Sequence, residues 1–153
     1  MRTNLFILLT IFITNLDVIC QMPSPAIIAS DATVSPGQAV DIVFSSDNDE
    51  FWNIVTFNGT ITWDPSVCSY SGLVSTQLFQ MNVTNFDTSQ ISNGILTWNW
   101  MHMITIGQSI PRGQEIFTLK FTASNTGGLS TPIDFSSTPV SYTHLTLPTT
   151  LVV

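Results

Sequence analysis

A chain of 153 residues and 16.8 kDa holds one domain's worth of sequence. Charged residues make up 8% and hydrophobic residues 44%, which rules out disorder of the charged, polar kind. With 3 Lys and Arg against 10 Asp and Glu, net charge -7, the chain has too few cations to neutralise a run of phosphates. The same count argues against docking on anionic lipid.

Met1 to Asn4 carries one cation, Arg2, and Leu5 to Ile13 is almost entirely apolar (LFILLTIFI). This is the n-region and h-region pattern of a secretory signal peptide, short for a bilayer span. Cleavage after Cys20 makes Gln21 the new N-terminus and residues 1–20 the signal. The second reading is a lipoprotein anchored through Cys20, which Asp17, Val18 and Ile19 fit poorly as a lipobox. Either reading exports the domain. Cys68 is then the lone cysteine of a soluble mature chain, the usual setting of a small core hydrophobe.

From Gln21 to Thr138 no helical period is sustained. Short runs rich in Val, Ile, Thr, Phe and Trp alternate with Gly, Pro, Asn and Asp clusters, which predicts strands. Ala26 to Val34 is the first run, closed by Ser35-Pro36-Gly37. Gln38 to Ser45 follows, with Val40, Ile42 and Phe44 on one face, then an acidic loop from Ser46 to Glu50. In Ile54 to Trp63 the residues Phe57, Gly59, Ile61 and Trp63 face one way and Thr56, Asn58, Thr60 and Thr62 the other. That is a strand with one buried and one wet face, ended by Asp64-Pro65. Leu78 to Thr84 is read as a strand placing Phe79, Met81 and Val83 together. Asn93-Gly94 is a turn. Ile95 to Met101 puts Leu96, Trp98 and Trp100 on one face, and Glu115 to Ala123 does the same for Phe117, Leu119 and Phe121. Pro132 to Ser136 is a last short strand. The expected fold is an all-β, jelly-roll or immunoglobulin-like sandwich of about eight to nine strands.

Val140 to Thr149 reads VSYTHLTLPT, which the codons GTC TCT TAT ACA CAT CTG ACG CTG CCG ACG encode. That nucleotide run resembles the transposase adapter of short-read library preparation, and Pro139 and Thr150 fit its flanks. Residues 140–153 are therefore expected to be adapter-derived and 21–139 to be the authentic domain, with a natural Thr-rich tail as the alternative. Tyr142 and His144 drop out of the functional argument, and a strand mimic over Tyr142 to Leu147 on an open sheet edge is expected.

The authentic region offers catalysis little. His102 is its one histidine, and no nucleophile elbow, zinc motif or phosphate loop occurs. Asp47, Asp49 and Glu50 crowd one loop, which reads as a solvated turn; a weak calcium site is the minor alternative, lacking the Gly and distal Glu of an EF-hand. No catalytic, cofactor or metal residue is assigned. Trp98 and Trp100 share a face with Leu96, so they read as core and not as a sugar-stacking platform. Trp52, after the acidic loop, is the better candidate for exposure. Two sequons, Asn58-Gly-Thr60 and Asn82-Val-Thr84, matter only in a glycosylating host.

The ordered pieces SPGQAVDIVFS, FNGTITWDPSV, NGILTWNW, IPRGQEIFTLKFTAS and PIDFSS resemble the cohesin domain, over about Ala26 to Ser137. They match the family's Gly-introduced second strand, its aromatic-Asp-Pro strand, its Gly-led sixth strand and its Leu-Phe-rich strand. The family's closing strand, beside the first strand, would follow PIDFSS, where the adapter-like run stands. The resemblance implies a non-catalytic, secreted or cell-surface module whose partner is a dockerin, a small calcium-loaded helical domain. A carbohydrate-binding module of the same sandwich type, with a polysaccharide as ligand, is the alternative, and a structural module of a large adhesin is the third reading. In cohesins the dockerin lies on the sheet of the aromatic-Asp-Pro and Gly-led strands. Carried over by register, the face comprises Thr56, Asn58, Thr60 and Thr62 with Ile95, Thr97, Asn99 and Met101, extended by Gln80 and Asn82. The family often places an Asn and an Asp on the first of these strands; here Thr56 and Asn58 stand there, without a carboxylate.

Mass analysis of the exported product is expected to show Gln21 at its N-terminus. Resequencing the locus without that adapter is expected to lose VSYTHLTLPT; recovery of the same codons would refute the adapter origin.

Overall fold

The computed structural model describes residues 26–47, 50–102 and 106–135 with their side chains, and 141–144 as backbone. Residues 1–20, expected to be an export signal, Asp49 and residues 145–153 lie outside the described residues. Ten strands are described in two antiparallel sheets: β1 Ile27–Ala29, β2 Ala39–Ser46, β3 Phe51–Thr62, β4 Cys68–Thr76, β5 Phe86–Asp87, β6 Ile95–Met101, β7 Gln108–Ile110, β8 Glu115–Ala123, β9 Asp134–Phe135 and β10 Ser141–His144. One sheet has the order β1-β2-β8-β4, the other β10-β3-β6-β5. The shorter strands β7 and β9 also pair with β3, which makes β3 the spine of the second sheet.

Period-2 alternation decides which side of each strand meets the core. Phe57, Ile61 and Trp63, Leu96, Trp98 and Trp100, and Phe117, Leu119 and Phe121 all point into one core, as does the pair Ile42 and Phe44. The two sheets interlock through aromatic rings. Phe117 of the first sheet stacks on Phe44 with centroids 4.8 Å apart and meets Trp98 of the second sheet edge-on at 5.3 Å. Trp63 closes one end against Phe121 at 5.2 Å and donates its indole N–H to the Cys68 carbonyl at 3.0 Å. The lone cysteine is half-buried and packs against this core; burial and the nearby Asp64 charge push its thiol pKa up.

Gly59 sits opposite Trp98 in the β3–β6 register, and the indole occupies the space a side chain would take. Any Cβ there would overlap the ring. The Asn93-Gly94 turn also needs its glycine. Gly94 adopts φ 70°, and a Cβ would overlap the Trp63 carbonyl oxygen.

Three expectations require correction. Leu78 to Thr84 is not a strand. Its backbone groups are taken by side chains: Gln108 accepts from the Phe79 N–H and donates to the Gln77 carbonyl, and Trp100 Nε1 donates to the Phe79 carbonyl. Gln80 is left-handed at φ 61°, and Asn82 caps a short 3-10 turn, Val83–Asn85, through Thr84 N. Consequently Leu78 and Met81 are buried while Phe79 and Val83 are exposed. The first run is a strand only over Ile27–Ala29; at Ser30 the side-chain oxygen takes the Val43 N–H. Ser141–His144 forms a strand as expected of Tyr142 onward, but on β3 and not beside β1.

Trp98→Ala is expected to cost about 3–5 kcal/mol in urea unfolding. Gly59→Ala is expected to cost about 1–3 kcal/mol by overpacking. Its cost should shrink in a Trp98→Phe background, because the smaller ring vacates the space; strictly additive losses would show that the contact is not what restricts position 59.

Candidate partner-binding face

The outward side of the β3–β6 pair is built by register alone. Thr56 lies opposite Met101, Asn58 opposite Asn99, Thr60 opposite Thr97 and Thr62 opposite Ile95. All eight alternate with core residues, so the aromatic packing beneath fixes their direction. Asn99 and Met101 are exposed, Met101 by 60%, and the other six are half-buried among their neighbours. The Thr60 and Thr97 hydroxyls bond to each other at 2.9 Å across the strands. These eight side chains include no ionisable group, so the centre of the face offers hydroxyls, amides and two apolar anchors, Ile95 and Met101.

Gln80 and Asn82 are exposed but belong to the loop before β5 and not to a strand. Asn82 spends its side chain locally: its oxygen accepts from Thr84 N and Oγ1, and its amide nitrogen donates to the Gln80 carbonyl. Asn85, which the sequence reasoning passed over, joins this loop to the face by donating to the Asn99 carbonyl at 2.9 Å. Val83, 62% exposed, adds an apolar side chain on the same loop. Two further residues were missed because their strands have only two residues. Asp87 of β5 pairs with Thr97, and Asp134 of β9 pairs with Thr62, so both carboxylates flank the face. The only sequence cue was that each adjoins an inward phenylalanine, Phe86 or Phe135.

Trp98 and Trp100 are almost fully buried, as their register with Leu96 predicts, and the exposed large aromatics among the described residues are Trp52 and Phe79. A cleft of about 610 Å³ opens elsewhere, between the end of β1 and the 127–133 segment, lined by Val40, Ile42 and Phe121; Asp31 and Cys68 are its titratable residues. Among the described residues no three His, Cys, Asp or Glu side chains gather to hold a metal, and no helix is long and apolar enough to cross a membrane.

Two antiparallel sheets packed face to face, one of them with a polar outward surface, define a β-sandwich module. The chain belongs to the cohesin domain family, whose model matches residues 25–153. Solved structures share the fold. A type I cohesin–dockerin complex from Clostridium thermocellum aligns with TM-score 0.61 and 18% identity, over 74% of this chain and 82% of that one. The sixth cohesin of scaffoldin B from Acetivibrio cellulolyticus, in complex with a Cel5 dockerin mutant, gives TM-score 0.60 and 16% identity over 73% and 81%. The seventh ScaB type I cohesin of Pseudobacteroides cellulosolvens gives 0.56 and 10% over 76% and 82%. A comparison with curated protein sequences returns no match. The cohesin family is one of non-catalytic binding modules, typically extracellular components of cellulosomes.

Asp64 and Asp87 both ionise below the ordinary aspartate value of 3.8. For Asp64 the Ser66 hydroxyl and then its backbone N–H favour the carboxylate; for Asp87 the Ser89 backbone N–H leads and its hydroxyl follows. A depressed folded pKa contributes stability above the unfolded pKa and loses it as pH falls through the folded value. Melting temperature should therefore drop below about pH 3.8, and less so in Asp64→Asn; equal acid slopes for wild type and variant would contradict the Ser66 contact.

Proposed function

We propose that this chain is an exported, non-catalytic recognition module that binds a dockerin-bearing partner through the outward face of β3 and β6. Three observations support the reading. The family is that of cohesins, and relatives of the same fold are described in complex with dockerins. The first 20 residues have the pattern of an export signal. The observation that carries the site is the register: four cross-strand pairs, Thr56–Met101, Asn58–Asn99, Thr60–Thr97 and Thr62–Ile95, present one continuous surface of hydrogen-bonding groups around apolar anchors. Such a surface suits a protein interface, in which a few buried apolar contacts are ringed by hydrogen bonds. Gln80 and Asn82 stand at its margin, on the loop that Asn85 ties to Asn99. The partner's role, on this reading, is to bring a polysaccharide-degrading enzyme or a surface anchor to the module.

Titration calorimetry with calcium-loaded dockerins encoded in the same genome tests the site. At least one should bind, and Asn58→Ala, Asn99→Ala and Met101→Ala combined should weaken it by roughly a hundredfold or more, as expected when central interface residues are truncated. Unchanged affinity in the triple variant would remove this face as the site.

A further inference from the structure

We infer that Asp87 and Asp134 are the charged contacts of this face, and that they select a helix carrying two basic side chains about three turns apart. The inference rests on reading the β3–β6 face as the docking surface. It starts from the missing charge: all eight outward side chains of β3 and β6 are uncharged, and four of them, Thr60, Thr62, Ile95 and Thr97, lie in the rows between Asp134 and Asp87.

The two carboxylates stand on opposite edges. Thr62 pairs with Ile95 on one side and Asp134 on the other, which puts β9 across β3 from β6. Asp87 pairs with Thr97 on the far edge of β6. Four strands, β9-β3-β6-β5, thus separate the aspartates by three interstrand spacings and by two residues along β6, or about 16 Å.

Both point outward for the same reason: the neighbouring phenylalanine is held inside. Phe86 is buried and meets Phe117 edge-on at 5.4 Å. Phe135 meets Phe44 at 6.2 Å and Trp98 at 6.5 Å. Alternation then turns Asp87 and Asp134 to solvent, where both are exposed. Asp87 is further fixed by accepting the Ser89 N–H at 2.9 Å.

The described cations lie elsewhere. Lys120 is on β8 in the other sheet, 3.4 Å from Asp41. Arg112 follows Ile110, which pairs with Phe51 at the opposite end of β3 from Thr62. The face is therefore negative at two points and neutral between them, and its complement is positive at two points with an uncharged middle. On a helix a span of about 16 Å is about eleven residues, which is three turns and returns to the same side. The fitting partner is a helical module with Lys or Arg at positions i and i+10 or i+11, and Ser, Thr, Asn or apolar residues on the turns between.

The test uses the chain as exported and the calcium-loaded dockerins encoded in its genome as probes, at about 50 mM and about 500 mM NaCl. The dockerin that binds should carry the spaced basic pair. Asp87→Asn and Asp134→Asn should each weaken it roughly two- to five-fold at low salt, mostly through a slower on-rate, and hardly at high salt. Asp134→Lys should weaken it further, with the melting temperature at neutral pH unchanged. If both Asn variants and Asp134→Lys bind like wild type while the Asn58, Asn99 and Met101 triple variant does not, this inference is wrong and the docking face stands. If no dockerin binds the wild-type chain, both fall.

Discussion

The contact between Trp98 and Gly59 is the constraint on which both sides of the second sheet depend. An indole placed against a residue without a side chain lets β3 and β6 pair while the ring still reaches Phe117 in the opposite sheet. Because side chains alternate strictly along a strand, fixing Trp98 inward also fixes Thr97 and Asn99 outward, and fixing Gly59 inward does the same for Asn58 and Thr60. A one-residue slip would bury the threonines and expose the aromatics. The core and the outward face are two consequences of one register.

Two local bonds tie this outward surface together. Thr60 and Thr97 bond to each other, and Asn85 clamps the neighbouring loop to the Asn99 carbonyl. The centre of the face is preorganised but uncharged, whereas its edges are made by two-residue strands carrying Asp87 and Asp134. A sheet face of this kind separates two tasks. On the proposed docking reading, the middle contributes area and hydrogen bonds, and the edges contribute sign and distance, which favour association rate and discrimination between partners more than raw affinity.

Legibility in the sequence followed regularity of pairing. β3 and β6 were readable because they alternate without a break where they pair, from Thr56 to Thr62 and from Ile95 to Met101, and β8 was readable from Phe117, Leu119 and Phe121 although Ile116 and Thr118 are buried beside them. β4 was not readable. Two register shifts, between Tyr70 and Gly72 and between Leu73 and Ser75, break its period, and it lies at a sheet edge rich in serine. Leu78 to Thr84 misled in the other direction. Its alternation of apolar residues looks like a strand, yet Gln108 and Trp100, distant in sequence, take the backbone groups that a ladder would need. Local pattern cannot register such partners.

The sequence by itself determined the all-β class, the inward set of aromatics and, with them, the eight outward residues of the β3–β6 face, because a period of two is a local property that each strand carries alone. The tertiary structure decided which strands lie next to one another. Only that adjacency brings Asp134 beside Thr62, 72 residues away in the chain, and Asp87 beside Thr97. It also set Gln80 and Asn82 on a capped loop instead of a strand. Sheet neighbours are chosen by the packing of two whole layers, and a two-residue strand has no period of its own to announce where it will pair.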